Sequence, residues 1–179
     1  MPNRAHRAEE ESLADFLADY TPVEAKFALS TGDTPLLRAM INADVLARVG
    51  IAERLLDDGA DASVTLGSGL NALHLLFSNR EHDLATEAVL VGRLIAGGAD
   101  PNAVSKRQGP PLLVMIESGM ASLSGVGAVI DAITESTTID LEVLINRKGR
   151  PRKTLRDEIA STPWHIPEVR ERLGIPQDQ

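Results

Sequence analysis

The chain has 179 residues, of which 43% are hydrophobic, 25% charged and none cysteine. That length suits one domain, or a short repeat array, with a buried core. The composition excludes wholesale disorder, disulfide frameworks, iron–sulfur clusters, cysteine-rich zinc sites and cysteine nucleophiles. With 18 Lys and Arg against 26 Asp and Glu, the net charge is −8, which argues against general coating of nucleic acid or of an anionic membrane.

Residues 1–12 lack an apolar signal-like core, and no apolar run reaches about 18 residues, so neither a signal peptide nor a membrane helix is expected. A reduced, cytoplasmic setting follows as the default. Leu13, Phe16 and Leu17, then Val23, Phe27 and Ala28, predict a helical N-terminal cap within residues 1–30. The run Glu9-Glu10-Glu11 suits the start of a helix, where negative charge is favoured.

Beyond residue 30 the chain repeats itself. Gly32-Asp33-Thr34-Pro35-Leu36-Leu37 is answered by Gly69-Leu70-Asn71-Ala72-Leu73-His74 and by Gln108-Gly109-Pro110-Pro111-Leu112-Leu113. Aligned on Thr34, Asn71 and Pro110, the spacings are 37 and 39. A second landmark keeps the same phase: Asp58-Gly59-Ala60-Asp61 recurs as Gly97-Gly98-Ala99-Asp100, with Thr138-Ile139-Asp140 as a worn third copy. Two landmarks in phase predict a repeat architecture.

Each unit predicts a helix, a loop, a second helix and a turn. Thr34 and Asn71 cap first helices, with Pro35 at the first helical position; Pro110 is a poor side-chain cap. Leu36, Leu37, Met40 and Ile41, then Leu73, Leu76 and Phe77, then Leu112, Met115 and Ile116, fall at helical spacing. In the second helices the predicted apolar stripes are Val45, Val49, Ala52 and Leu56; Leu84, Ala88, Val91 and Ile95; and Val126, Val129, Ile130 and Ile133. Gly59 and Gly98 stand where a left-handed glycine ends a helix. A fourth start shows in Asn146-Arg147-Lys148-Gly149-Arg150, Thr154, Leu155 and Ala160. The tail, residues 161–179, with Trp164 and a helix-compatible 167–173, closes the far end.

Together these motifs resemble ankyrin repeats over residues 31–160. The period here, 37 to 39, exceeds the about 33 of that family, and the extra residues fall between paired helices, near 42–48, 79–84 and 118–126. The resemblance implies one all-α domain, an ankyrin-like α-solenoid of about four stacked helix pairs between helical caps. It implies that His74 is structural, bonding backbone between repeats. It also implies a concave face built from first helices and from fingers at 61–70, 100–109 and 140–149. Finger tips that would contact a partner are Thr65, Leu66, Ser68, Lys106, Arg107, Gln108, Arg147, Lys148 and Arg150.

Catalytic patterns are weak by comparison. Glu81-His82-Asp83 is the nearest to a metal spacing, but adjacent helical residues diverge. Gly67-Ser68-Gly69 lacks the frame of a nucleophile elbow and suits a flexible hairpin tip. No phosphate or dinucleotide loop is present. Arg147–Arg156 holds six basic residues and no acidic one, leaving the remainder at −14. The expected function is therefore non-enzymatic protein–protein interaction, as an adaptor or as an inhibitor or immunity-type partner, with no cofactor, metal, membrane or small-molecule substrate. The alternatives are a DNA-associated regulator using residues 147–156, whose Lys148-Gly149-Arg150-Pro151 resembles a minor-groove hook, and an enzyme with a site at His82 and Asp83.

Overall fold

A computed structural model describes residues 4–145, 151–163 and 165–176. Ten α-helices lie among them: α1 (Arg4–Glu10), α2 (Leu13–Asp19), α3 (Pro35–Ala39), α4 (Val45–Asp57), α5 (Ala72–Phe77), α6 (Leu84–Ala96), α7 (Pro111–Ser118), α8 (Val126–Ser136), α9 (Leu155–Ser161) and α10 (Pro167–Arg172). Two-residue strands β1 (Leu144–Ile145) and β2 (Lys153–Thr154) pair antiparallel, Leu144 opposite Thr154. The protein is mostly helical, as its periodicity predicts.

The starts and stops follow local chemistry. Thr34 Oγ1 accepts Leu37 N–H, Asn71 Oδ1 accepts His74 N–H and Thr154 Oγ1 accepts Asp157 N–H, each satisfying an orphan donor of a helix's first turn. Pro110 offers no such bond. Asp44 and Asp83, 39 residues apart, cap α4 and α6 in the same way. At the other ends Gly59 and Gly98 take φ of +85° and +104°. Ala60 N–H then reaches back to Leu55 O, and Ala99 N–H to Leu94 O, both at 2.9 Å. A side chain on either glycine would meet the left-handed penalty.

Packing follows chain order. α3 touches α5 and α5 touches α7, while α4 touches α6 and α6 touches α8. Leu73, Leu76 and Phe77 are fully enclosed, and each such side chain contributes about 1.5–3 kcal/mol on leaving water. In α8 the predicted stripe is the buried one. In α4 and α6 it is buried only in part. The buried residues are Ala47, Arg48, Val49, Ile51, Ala52 and Leu55, then Glu87, Leu90, Val91 and Leu94. Val49, Ala52 and Val91 of the predicted stripes are thus among them, while Val45, Leu56, Leu84, Ala88 and Ile95 border them, partly buried. The cause is that Arg48 and Glu87 occupy the buried line, so apolarity alone locates its edge. The first of the expected insertions is also shorter than the sequence suggests, because helix α4 already begins at Val45.

At the N-terminal end α1 packs on α3 and α2 on α4. Glu9 and Glu10 lie in the last turn of α1, not at a helix start; Glu9 pairs with Arg38 and Glu11 with Arg7. Arg7 also lies over the Phe16 ring, 5.5 Å from its centroid. At the C-terminal end α10 packs on α8, and Arg170 donates to the carbonyls of Ile159, Ala160 and Thr162, closing the end of α9. Among the described residues no helix is long and apolar enough to cross a membrane.

Candidate functional site

The segments between a second helix and the next first helix form short projecting fingers with one recurring construction. Each begins with an aspartate whose Oδ1 accepts the backbone N–H two residues on: Asp61 from Ser63, Asp100 from Asn102 and Asp140 from Glu142, all at 2.8–2.9 Å. Such Asx turns set the chain's exit angle without help from distant residues. For Asp61, bonds from the Ser63 hydroxyl and N–H hold the carboxyl below the usual carboxylate range. Asparagines then tie neighbouring fingers at their bases. Asn71 donates to Asp100 O at 2.7 Å, and Asn102 both donates to Thr138 O and accepts Asp140 N–H.

The first two tips are hydrogen-bonded hairpins, and the described flanks of the third are paired. Leu66 N–H donates to Leu70 O, and Gly69 N–H closes the turn on Leu66 O at 2.7 Å. Ser105 and Gly109 pair in the second finger, and β1 with β2 in the third. The first two tips are joined directly, Lys106 N–H donating to Ser68 O at 3.1 Å and Lys106 Nζ to Gly67 O. Ser68, expected in a flexible tip, thus sits in a bonded one.

His74 secures the same layer from inside. Its ring is fully enclosed, Nε2 lies 2.9 Å from Gly109 O, and Asn71 N–H points at Nδ1. A carbonyl can only accept, so Nε2 carries a proton, while Nδ1 faces both the Asn71 N–H and, at 2.8 Å, Asn71 Oδ1. Burial pushes this imidazole below its ordinary pKa, keeping it neutral.

Of the expected contact residues, Thr65, Ser68, Lys106, Arg107 and Gln108 are exposed on the finger tips, and Leu66 is half-buried against the core. Arg147, Lys148 and Arg150 lie outside the described residues. Within the rest of the basic run, Lys153 donates to Ser161 Oγ and Arg156 pairs with Glu142. Val104 and Leu144, absent from the sequence-derived set, are 50% and 57% exposed. They occupy the repeat position of Thr65, at offsets of 39 and 40, while Ser105 and Ile145, next in line, are buried. This alternation is that of a half-buried strand, and the repeat phase is the signal that would have found it. Two hollows lie among the fingers. One, of about 510 Å³, is lined by Gly67, Ser68, Leu70 and residues 105–108. The other, of about 310 Å³, runs between Val104–Gly109 and Leu144–Ile145.

His82 and Asp83 are committed elsewhere. Asp83 caps α6. The His82 ring has Nδ1 2.8 Å from Glu87 Oε2 and Nε2 3.1 Å from Asn79 O, so both nitrogens face groups of this chain. Among the described residues no group of three or more His, Asp or Glu is placed to hold a metal ion.

Comparison with known proteins yields no matching family model, curated protein or solved structure.

Proposed function

We propose that this chain is an ankyrin-type protein-interaction module, its helix pairs stacked as an α-solenoid between two caps, and that it binds another protein through the finger face. The observation that carries this reading is the Asp61, Asp100 and Asp140 construction, the same turn repeated at 39 and 40 residues with asparagine ties between neighbours. It presents chemically varied tips on a bonded frame, and a pre-ordered frame loses little entropy on docking. The scarcity of aromatics, 3% of the chain, disfavours base or sugar stacking. Such a surface serves an adaptor, or an inhibitor or immunity-type partner that covers the working surface of another protein.

The test is capture from native extract with the wild-type protein, with Arg107→Glu and Leu144→Asp on the fingers, and with Val89→Asp on α6 as an exposed control. Capture should be lost with the finger variants and kept by the control. Capture indifferent to the finger substitutions, or none at all alongside a measured turnover, overturns the reading.

A further inference from the structure

The hollow between the second and third fingers differs from the one before it. The first and second fingers are joined by backbone at Lys106 and Ser68. Among the described residues the second and third are joined only at their bases, through Asn102, and a space of about 310 Å³ lies between Val104–Gly109 and Leu144–Ile145. Its two rims are apolar and exposed, Val104 on one side and Leu144 on the other, with Leu113 and Ile145 at its floor. Isolated exposed aliphatics are ordinary on protein surfaces. Two at the same repeat position, facing one cleft, form a paired feature.

The charge beside it is the reverse of the molecule's. The chain carries −8 overall, yet the tip lining this cleft carries Lys106 and Arg107 in succession. Lys106 is already turned toward Gly67 O. Arg107 is exposed, and it makes no hydrogen bond or ion pair among the described residues. Seven other described arginines are spent on their own chain: Arg7, Arg38, Arg48, Arg54, Arg93, Arg156 and Arg172 each pair with a carboxylate; Arg80 and Arg152 are exposed like Arg107, but neither lines this cleft. The acidic side chain lining the cleft, Glu117, is itself engaged. A guanidinium left open at the mouth of an apolar cleft is a receptor for a carboxylate, since its fork matches that group and it keeps its charge at any physiological pH.

We infer that this cleft takes an extended segment of another protein that sets an aliphatic side chain between Val104 and Leu144 and an aspartate or glutamate against Arg107. The inference rests on the protein-binding reading and specifies the partner's chemistry. Apolar burial supplies the anchor and the ion pair sets register and approach.

The probe is a phage-displayed library of random dodecapeptides, selected on the folded full-length protein and measured afterwards as synthetic peptides. Selected sequences should place Asp or Glu within two or three residues of Leu, Ile or Val. Their affinity should fall about tenfold or more with Arg107→Glu and with Leu144→Asp, fall with added salt, and be unchanged by Val89→Asp. Circular dichroism of each variant verifies folding. Enrichment of basic or uncharged peptides, or affinities indifferent to Arg107→Glu and to salt, overturns the inference while leaving protein binding through the fingers intact. Failure to enrich any peptide also overturns it; if the capture experiment fails as well, the protein-binding reading falls with it.

Discussion

Arg48 on α4 and Glu87 on α6 meet in the interior with no exposure of either side chain, Nη2 and Nε lying 2.8 and 3.0 Å from Glu87 Oε1. They occupy the same position of successive repeats, 39 residues apart, so the two units interlock by opposite charge at an equivalent point. The guanidinium also donates to the carbonyls of Asn42 and Glu81, and the second Glu87 oxygen faces His82. Asn79 donates to Met40 O, Leu75 O and Leu76 O, and Asn42 to Ala8 O and Glu11 O. The loops between paired helices are thus held from within by polar side chains.

Breaking that pair from one side leaves the other charge buried alone. Arg48→Met should cost about 3–5 kcal/mol, read as a lower urea midpoint. Arg48→Met with Glu87→Gln should cost less than the two single changes added together, because contacting residues couple. Full additivity in this double-mutant cycle would show that the pair carries no mutual stabilisation.

His74 predicts a pH dependence. Desolvation lowers its pKa in the folded protein, whereas the unfolded chain titrates near the ordinary value of about 6.5. Below that value the unfolded state binds a proton that the folded state refuses. The contribution of His74 is therefore fully present above about pH 6.5 and is lost as pH falls from there toward the lower folded value. Comparing melting temperatures of the wild type and His74→Asn from pH 7.5 to 5 isolates the effect: the gap between them should narrow as pH drops. A constant gap would sink the assignment.

The C-terminal cap is held by a carboxylate clasp. Glu168 accepts Gly125 N–H at 3.0 Å and Gly127 N–H at 2.8 Å, at the start of α8, and Arg172 pairs with Asp131 beside it. Those backbone bonds hold the Glu168 carboxyl below its usual range. With the folded pKa depressed, its contribution is present above the unfolded value, about 4.3, and is lost as pH falls through the folded one. Glu168→Ala should raise amide exchange across α10 at neutral pH while α4 and α6 stay protected. Equal protection in variant and wild type would show that the apolar contacts of Ile166, Val169 and Ile175 hold this helix unaided.

What the sequence discloses and what it withholds divide along a physical line. Thr34, Asn71, Thr154, Gly59 and Gly98 act on neighbours within a few residues, so their roles are visible in local order and the structure bears them out. Helix α1 was hidden because its sequence carries no large apolar residue: Ala8 is buried, and Arg7 is held by groups as distant as Asp19. The Arg48–Glu87 pair was hidden because a charged residue in an amphipathic helix signals solvent. Only the repeat phase, opposite charges 39 residues apart, marks it. The exposed row Thr65, Val104 and Leu144 needed the same comparison across units, since a lone Val or Leu in a loop carries no direction.

Two glycines in the second helices separate packing from propensity. A Cβ on Gly50 in α4 would stand 2.6 and 2.9 Å from the δ carbons of Leu13, which α2 lays across it, whereas one on Gly92 in α6 would meet nothing within 4 Å. Glycine inside a helix costs roughly 0.5–1 kcal/mol relative to alanine. Gly92→Ala should recover that amount and raise the melting temperature by about 2 °C in a chain of this length. Gly50→Ala makes the same helical gain but must turn the end of Leu13 aside, loosening α2 on α4. Its melting temperature should fall below that of Gly92→Ala, with faster amide exchange confined to residues 13–19. If the two variants melt together and α2 keeps its protection, Gly50 is not the seat on which the N-terminal cap rests.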